Sequence, residues 1–532
     1  MRRKENYITQ RLVFAVLASM VSMSLAAQMP AKRPQLVVGI VVDGLQEDYI
    51  NLLKGYFGDG GFNRLMRDGV VLENVDYGTP LDLSAATAML YTGAAPSVNG
   101  IPSTMVYDRN TQQQRHILLD PATIGNYTDE TYSPTALTAS TLSDEMRIDT
   151  DGLGYVYSIS ADATQSIIMA GHAGNSAFWI NDITGKWATT TYYTDLPNTM
   201  RSRNASMPLS ARLDTIAWEP AMKINDYPDL PEHKRAYPFR HIFSRSDKNR
   251  YRAYKISAPA NSEITDVATQ YIKTIALGQR GQMDMLNIAY TVSPYIYTKQ
   301  SDSRVEQMDS YLRLDRDLQR LFAVIDQKVG LNNTLIFIAG TPARTRTRRD
   351  DEKWRIPYGE FSTRRAASLL NMYLMAIHGN GEWVSGFQDN QIYLNHKLID
   401  ERDKSLSQLR AEAAEFMLRM SGVSSAYTID EIISGRGDEK SERLRQNISI
   451  STAGDIFVSV NPGWSISNAT DENTQNTVTR AALPTAPVYI LAPGVQAQRI
   501  TINIDARTIA PTVARLLRIR SPNAAECAPL RF

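Results

Sequence analysis

One short stretch constrains this chain more than any other: Leu36-Val-Val-Gly-Ile-Val-Val-Asp43, an apolar, β-branched run that stops at a carboxylate and is followed by Gly44. A run without polar alternation suits a strand covered on both faces, as inside a parallel sheet. Open α/β sheets build their sites at the carboxyl ends of such strands, so Asp43 is delivered to the edge where chemistry is assembled. A carboxylate there either caps the helix that follows or ligates a metal. The partners that the rest of the chain supplies decide between the two.

Beyond that strand the pattern alternates. Gly60-Gly-Phe-Asn-Arg-Leu-Met-Arg-Asp-Gly69 puts Phe62, Leu65 and Met66 on one helical face and stops at a glycine, which makes the opening a βα unit. Apolar, β-rich runs recur at Tyr155 to Ser160, Ser166 to Ala170, Met285 to Thr291, Thr334 to Ala339 and Val488 to Ala492, and each reads as a strand. Leu314, Leu318, Leu321, Phe322 and Ile325 keep a helical period over Ser310 to Val329, and a further helix is expected over Leu406 to Met420. This rhythm predicts an α/β fold with a central, mostly parallel sheet flanked by helices. Two stretches break it and are expected as rim insertions: 178–256, rich in Tyr, Trp, Asn, Pro and Arg, and 344–365, where Arg344, Arg346, Arg348 and Arg349 precede Asp350, Asp351 and Glu352. The adjacent acids offset those arginines and make a solvated loop of them rather than an anion site.

Charge argues against a nucleic-acid partner, because 57 basic and 56 acidic residues leave a net charge of +1. Arg2, Arg3 and Lys4, the apolar stretch from Leu12 to Leu25, and Ala26-Ala27 before Gln28 have the form of a cleavable secretory signal over 1–27, with 28–532 as the folded chain. That apolar stretch is too short for a membrane span, and no later run is long and apolar enough for one. Cys527 is the only cysteine, so no internal disulfide forms. Export without disulfides points to the periplasm or outer membrane of a Gram-negative bacterium.

Several segments together resemble the alkaline phosphatase superfamily, and within it the bacterial secreted alkaline phosphatase and type I phosphodiesterase/nucleotide pyrophosphatase branch. They are Val37-Val-Gly-Ile-Val-Val-Asp43-Gly, Tyr91-Thr-Gly-Ala-Ala-Pro-Ser-Val-Asn-Gly-Ile101, Met105-Val-Tyr-Asp108, Ala170-Gly-His-Ala-Gly-Asn-Ser-Ala-Phe-Trp179, Glu306 to Arg316, Leu335-Ile-Phe-Ile-Ala339 and Asp505 to Leu517. The resemblance spans nearly the whole chain after the signal and implies an alkaline-phosphatase-like fold. It also implies a chemistry, hydrolysis of phosphate esters, in which aspartates and histidines hold two zinc ions and a serine or threonine attacks phosphorus. The metals lower the pKa of the nucleophile and neutralise phosphate charge; without them a hydroxyl is a poor nucleophile.

Carried over residue by residue, the resemblance gives Asp43 the first metal-ligand position. The nucleophile position, nine residues before Thr92-Gly93, is Leu83, which carries no nucleophile. Ser84 is its neighbour, with Asp82 and Thr87 farther off, and capping a helix is the simpler use of Ser84. The Asp-x-x-x-His pair falls on Pro294 and Thr298, the Asp-His pair on Gly340 and Thr341, and the last histidine on about Asn476. These residue types do not support zinc. The phosphate-contacting asparagine falls near Thr104, the histidine of its motif is Asn99, and the Lys-x-Arg pair is Asp162 and Thr164, which puts negative charge where the family has positive.

The six histidines, His116, His172, His233, His241, His378 and His396, agree without any resemblance, since none stands in an Asp-x-x-x-His or His-x-x-x-His pair. His172, expected at the end of the strand Ser166 to Ala170, is the best single ligand candidate and reads as a hydrogen-bonded structural residue. Asp302, Asp309, Asp315 and Asp317 are expected to face solvent or arginines.

The expectation from sequence is therefore a catalytically inactive member of the fold, an exported binding or scaffolding subunit without a cofactor. Such a subunit would meet an envelope protein through the aromatic surface of 178–256, unless those aromatics pack in the core. The alternative is an active, metal-dependent phosphate-ester hydrolase with a rearranged site, in which Asp43, Asp82, Ser84 and Asn99 offer oxygens to magnesium or calcium.

Overall fold

The computed structural model describes residues 33–193, 196–230, 238–298, 303–342, 355, 358–388, 390–435, 437–467, 477–478 and 484–532. The signal segment, the arginine run at 344–349, His233, Asp302 and Asn476 lie outside the described residues.

The run that opens the sequence forms strand β1, Leu36–Asp43, with every side chain from Leu36 to Val42 buried. It belongs to a sheet of ten strands: β1; β2, Val70–Asp76; β3, Gly125–Asn126; β4, Val156–Ile159; β5, Ser176–Ile180; β6, Trp187–Thr190; β7, Asp284–Thr291; β8, Thr334–Gly340; β9, Thr485–Leu491; and β10, Gln498–Asp505. Their order across the sheet is β10-β2-β9-β8-β1-β7-β4-β5-β6-β3. The central block β8-β1-β7-β4-β5 is parallel throughout, while β9 runs antiparallel to both its neighbours.

Four helices position the site: α1, Leu83–Thr92; α2, Ala163–Ala170; α3, Ala258–Thr274; and α4, Arg304–Lys328. Tyr91 of α1 lies so close over β1 that a Cβ on Gly39 would come within 2.5 Å of its Oη. That hydroxyl donates to Asn287 Oδ1 at 2.9 Å, and Asn287 in turn donates to Ser143 Oγ and to the Met169 carbonyl, so the helices on this face are tied to the sheet by a satisfied polar chain.

Between β8 and β9 the chain builds a second unit. Strands Val384–Gln388, Gln391–Leu394, Val423–Thr428 and Ile456–Val460 form an antiparallel sheet under helices Thr363–His378 and Leu406–Leu418. Its own core includes Leu370, Leu374, Trp383, Ile392, Leu409 and Ile456. Tyr107 and Arg109, on the hairpin Met105–His116, reach across to it: the Tyr107 and Tyr393 rings lie 4.3 Å apart and Arg109 pairs with Asp455 at 3.0 Å.

The structure corrects several expectations. Ser166 to Ala170 belongs to helix α2, where Asp162 caps by accepting from the Thr164 N–H and Ser166 Oγ donates to the Ser158 and Phe178 carbonyls. A short, fully buried apolar run satisfies either period, and here the cap at Asp162 decides for helix. The stretch 178–256 is an insertion only in part: it begins inside β5 and continues through β6. Its aromatics Trp179, Trp187, Trp218, Tyr227 and Tyr254 are buried, which removes them as a docking surface. Asp309, Asp315 and Asp317 are buried on α4 rather than solvated; Asp309 and Asp317 do pair with arginines, Arg313 at 2.6 Å and Arg320 at 2.7 Å, while Asp309 also accepts from Trp218, Tyr227 and Ala221, and Asp315 accepts from the N–H groups of Gly58 and Phe62.

Candidate functional site

Because β8, β1, β7, β4 and β5 are adjacent and parallel, their carboxyl ends form one row with strands about 4.8 Å apart. The residues at or just past those ends are Thr341, Asp43, Ser293, Asp162 and Asp182. Strand register places Asp43 opposite Thr291 and Val42 opposite Gly340, which draws Asp43, Ser293 and Thr341 together.

Asp43 is half-buried and ringed by hydroxyls. Ser293 Oγ donates to its Oδ2 at 2.6 Å, Thr291 Oγ1 to the same oxygen at 3.3 Å, and Thr341 Oγ1 to Oδ1 at 3.1 Å. Thr291 ends β7 and Ser293 lies two residues on, so both hydroxyls fall on the face of the sheet that carries the Asp43 carboxylate. The frame around them is fixed by backbone anchors. Asn261 of α3 bonds both the N–H and the C=O of Thr291, at 3.1 and 2.7 Å. Gln307 of α4 donates to the Val292 carbonyl at 3.1 Å, while Tyr311 donates to the Gly44 carbonyl at 3.1 Å and accepts from the Gln46 N–H at 2.8 Å. Gly44 has φ +73°, and a Cβ there would overlap Ser293 Oγ, so glycine is required by both conformation and space.

The family's nucleophile and phosphate-contacting positions fall on and around α1 and α2. Asp82 caps α1, accepting from the Ala85 N–H at 3.0 Å and from the Thr104 N–H. Ser84 is therefore not the cap; it is fully buried and hydrogen-bonded to Thr104. Thr87 is likewise buried and donates to the Leu83 carbonyl. Asn99 is buried and spent on the Ala94 carbonyl and the Ile101 N–H. Thr164 meets His116, whose Nδ1 accepts from the Leu118 N–H and whose Nε2 therefore donates to Thr164 Oγ1 at 3.1 Å. Burial depresses the His116 pKa, against the opposing pull of Asp162 and Asp82, so the ring is neutral at physiological pH. At the end of β5, Asp182 holds Lys255 at 2.5 Å and Arg252 at 3.2 Å.

These residues do not fit a pair of zinc ions. The family's ligand positions hold Pro294, Thr298, Gly340 and Thr341, and of these Thr341 meets Asp43, bringing a hydroxyl donor rather than imidazole or carboxylate. Among the described residues, no group of three or more His, Cys, Asp or Glu is placed to hold a metal ion. The oxygen-only set is not gathered either, since Ser84 and Asn99 are turned into local hydrogen bonds. The described histidines are scattered, and four of them pair with a carboxylate of their own: His172 with Asp144, His241 with Glu306, His378 with Glu412 and His396 with Asp455. His172 follows a helix, not a strand, and both its nitrogens face acceptors, Asp144 Oδ2 and the Leu137 carbonyl. The hydrogen bond to Asp144 raises its pKa, against the opposing effect of burial, and the ring acts as a structural residue.

The mostly parallel sheet with Asp43 at its carboxyl edge is the architecture that the alkaline phosphatase resemblance implies. Residues 37–482 match the type I phosphodiesterase / nucleotide pyrophosphatase family model, and the chain belongs to that family. It is similar to the alkaline phosphatase PafA of Elizabethkingia meningoseptica, 26% identical with 94% of each chain covered, and to the alkaline phosphatase PhoV of Synechococcus elongatus, 25% identical over 92% of this chain and 91% of that one. A protein of Myroides odoratus named a calcium-transporting ATPase is 25% identical over 96% of both chains. The crystal structure of wild-type PafA superposes with a TM-score of 0.83, at 25% identity, over 94% of this chain and 99% of that one.

These findings confirm the fold and overturn the expectation of a catalytically inactive subunit. The chain matches named alkaline phosphatases along nearly its whole length and belongs to a family defined by phosphodiester cleavage. That expectation counted ligand types at fixed spacings, which tests one metal arrangement and not the capacity of the strand edge for chemistry. It also missed Ser293. No local signal marks it, because Ser293 meets Asp43 only through the register of β7 with β1.

Proposed function

We propose that this chain hydrolyses phosphate esters at the Asp43 edge of its sheet, through a rearranged site in which hydroxyls occupy the space of the family's ligands. The observation that carries the reading is the half-buried Asp43 carboxylate at the carboxyl end of β1, held by Ser293, Thr291 and Thr341. Named phosphatases among the relatives support the reaction class. Neutral hydroxyls around Asp43, with Asp162 farther along the row, favour a monoanionic diester over a dianionic monoester. The reading uses no step through zinc. The N-terminal segment supports export, and no helix of the described residues is long and apolar enough to cross a membrane.

The test is turnover of p-nitrophenyl phosphate and bis(p-nitrophenyl) phosphate by the purified chain and by Asp43→Asn. Release of nitrophenol that is faster from the diester and lost in the variant is expected. Equal release by wild type and variant would reject the site.

A further inference from the structure

We infer that Ser293 is the nucleophile of this site and Asp43 its base, a pair assembled from the ends of two neighbouring strands; the inference rests on the hydrolase reading above. The position that carries the family's nucleophile is Leu83, and Ser84 beside it is fully buried. Ser293 is the hydroxyl on which geometry converges. Its Oγ lies 2.6 Å from Asp43 Oδ2, the separation of a nucleophile from the group that takes its proton. Unlike Ser84 it is only partly buried, at the strand edge where a ligand can approach.

The rest of the base is oriented around that contact. Thr341 holds the opposite oxygen of Asp43 at 3.1 Å and accepts from the Gly44 N–H at 3.3 Å, so the carboxylate plane is fixed with Oδ2 toward Ser293. Asn261 and Gln307 lock the backbone at Thr291 and Val292, immediately before the serine. Gly44, in the left-handed region, leaves room for Ser293 Oγ. Nucleophile, base and the third group that orients the base are thus all present, each supplied by a different strand end.

In the first half of the reaction Ser293 Oγ bonds to phosphorus as its proton passes to Asp43 Oδ2. The bond from phosphorus to the leaving oxygen breaks, and that oxygen takes the proton from Asp43. In the second half a water attacks phosphorus and gives a proton to Asp43; the phosphorus–Oγ bond breaks and Oγ recovers the proton. Asn261, Gln307 and Thr341 act as positioning residues.

The experiment uses the mature chain with bis(p-nitrophenyl) phosphate. Ser293→Ala is expected to lower kcat/KM by at least about 100-fold, the lower range for loss of a positioned proton-transfer partner. Acid quench of the wild type followed by tandem mass spectrometry should find the nitrophenyl-phosphoryl group on Ser293. Ser84→Ala should retain turnover. Wild-type turnover by Ser293→Ala, or the phosphoryl group on another side chain, overturns this inference and leaves the hydrolase reading standing. Absence of turnover by the wild type overturns both. The trapped adduct needs no variant, so a folding defect in Ser293→Ala does not blur the outcome.

Discussion

Replacing Asp455 by asparagine should loosen the second unit from the sheet domain at neutral pH and have no effect in strong acid. The Asp455 side chain is fully buried and accepts from Arg109 at 3.0 Å, Arg410 at 2.8 Å, His396 at 2.9 Å and the Leu394 N–H at 2.8 Å. Burial alone would push its pKa up, but the hydrogen bond from His396 and the charge of Arg109 outweigh it and bring the carboxyl from 3.8 down to about 2. That difference corresponds to roughly 2 kcal/mol of stability from the ionised form. Because the folded pKa is the lower one, the contribution is complete above pH 3.8 and disappears as pH falls toward about 2. Asp455→Asn should therefore cost about 2 kcal/mol at pH 7, and Asp455→Ala, which leaves two arginines facing an empty site, about 3–5 kcal/mol. Urea unfolding followed by circular dichroism at pH 7 and near pH 2 measures both. A gap between wild type and Asp455→Asn that persists near pH 2, or no gap at pH 7, refutes the reasoning.

Gly44→Ala should cost about 1–2 kcal/mol from its left-handed backbone and push Ser293 away from Asp43, so turnover should fall with it; a variant as active as wild type would count against the Ser293 assignment. Tyr91→Phe leaves Asn287 Oδ1 without its donor in the core and should destabilise by about 1–3 kcal/mol in urea melts without altering KM for the diester. The hydrogen bond to Asp144 raises the pKa of His172, so its contribution is complete below the ordinary pKa of 6.5 and is lost as pH rises through the raised value. His172→Gln should accordingly shift the thermal midpoint more at pH 5.5 than at pH 9, and an equal shift at both would show that the ring acts only by packing.

Much of the fold was legible because its signals are local. Leu36–Asp43 and Thr334–Gly340 are unbroken apolar runs, and the helix over Arg304–Lys328 keeps its period for several turns. The failures came where local pattern is degenerate or where partners are remote. Ser166 to Ala170 is apolar on every side because α2 is buried all round, and only the cap at Asp162 tells helix from strand. Asp309, Asp315 and Asp317 look like solvated charges on a helix; each is buried by a partner far away in sequence, Trp218, Phe62 and Ser262 respectively. Antiparallel β9 beside the parallel block, between β8 and β2, and the separate core of the unit between β8 and β9 depend on chain reversals that periodicity does not encode.

The site divides along the same line. Asp43 was legible as the end of the first strand, and the loss of the family's ligands was legible from residue types. What replaces them was not, because Ser293 and Thr341 lie hundreds of residues from Asp43 and meet it only through the register of β7 and β8 with β1. The question of cap or ligand accordingly has a third answer. Asp43 caps no helix, since the next one begins at Glu47 with no side-chain cap, and it stands among hydroxyls rather than metal ligands. In the Ser293 assignment the leaving oxygen has one proton source, the Asp43 carboxyl, whose oxygens already accept from three hydroxyls. Turnover should therefore favour esters of acidic alcohols, whose departure asks least of the base. Rates for aryl diesters should exceed those for alkyl diesters, and a flat dependence on the leaving group would argue that some other residue supplies the proton.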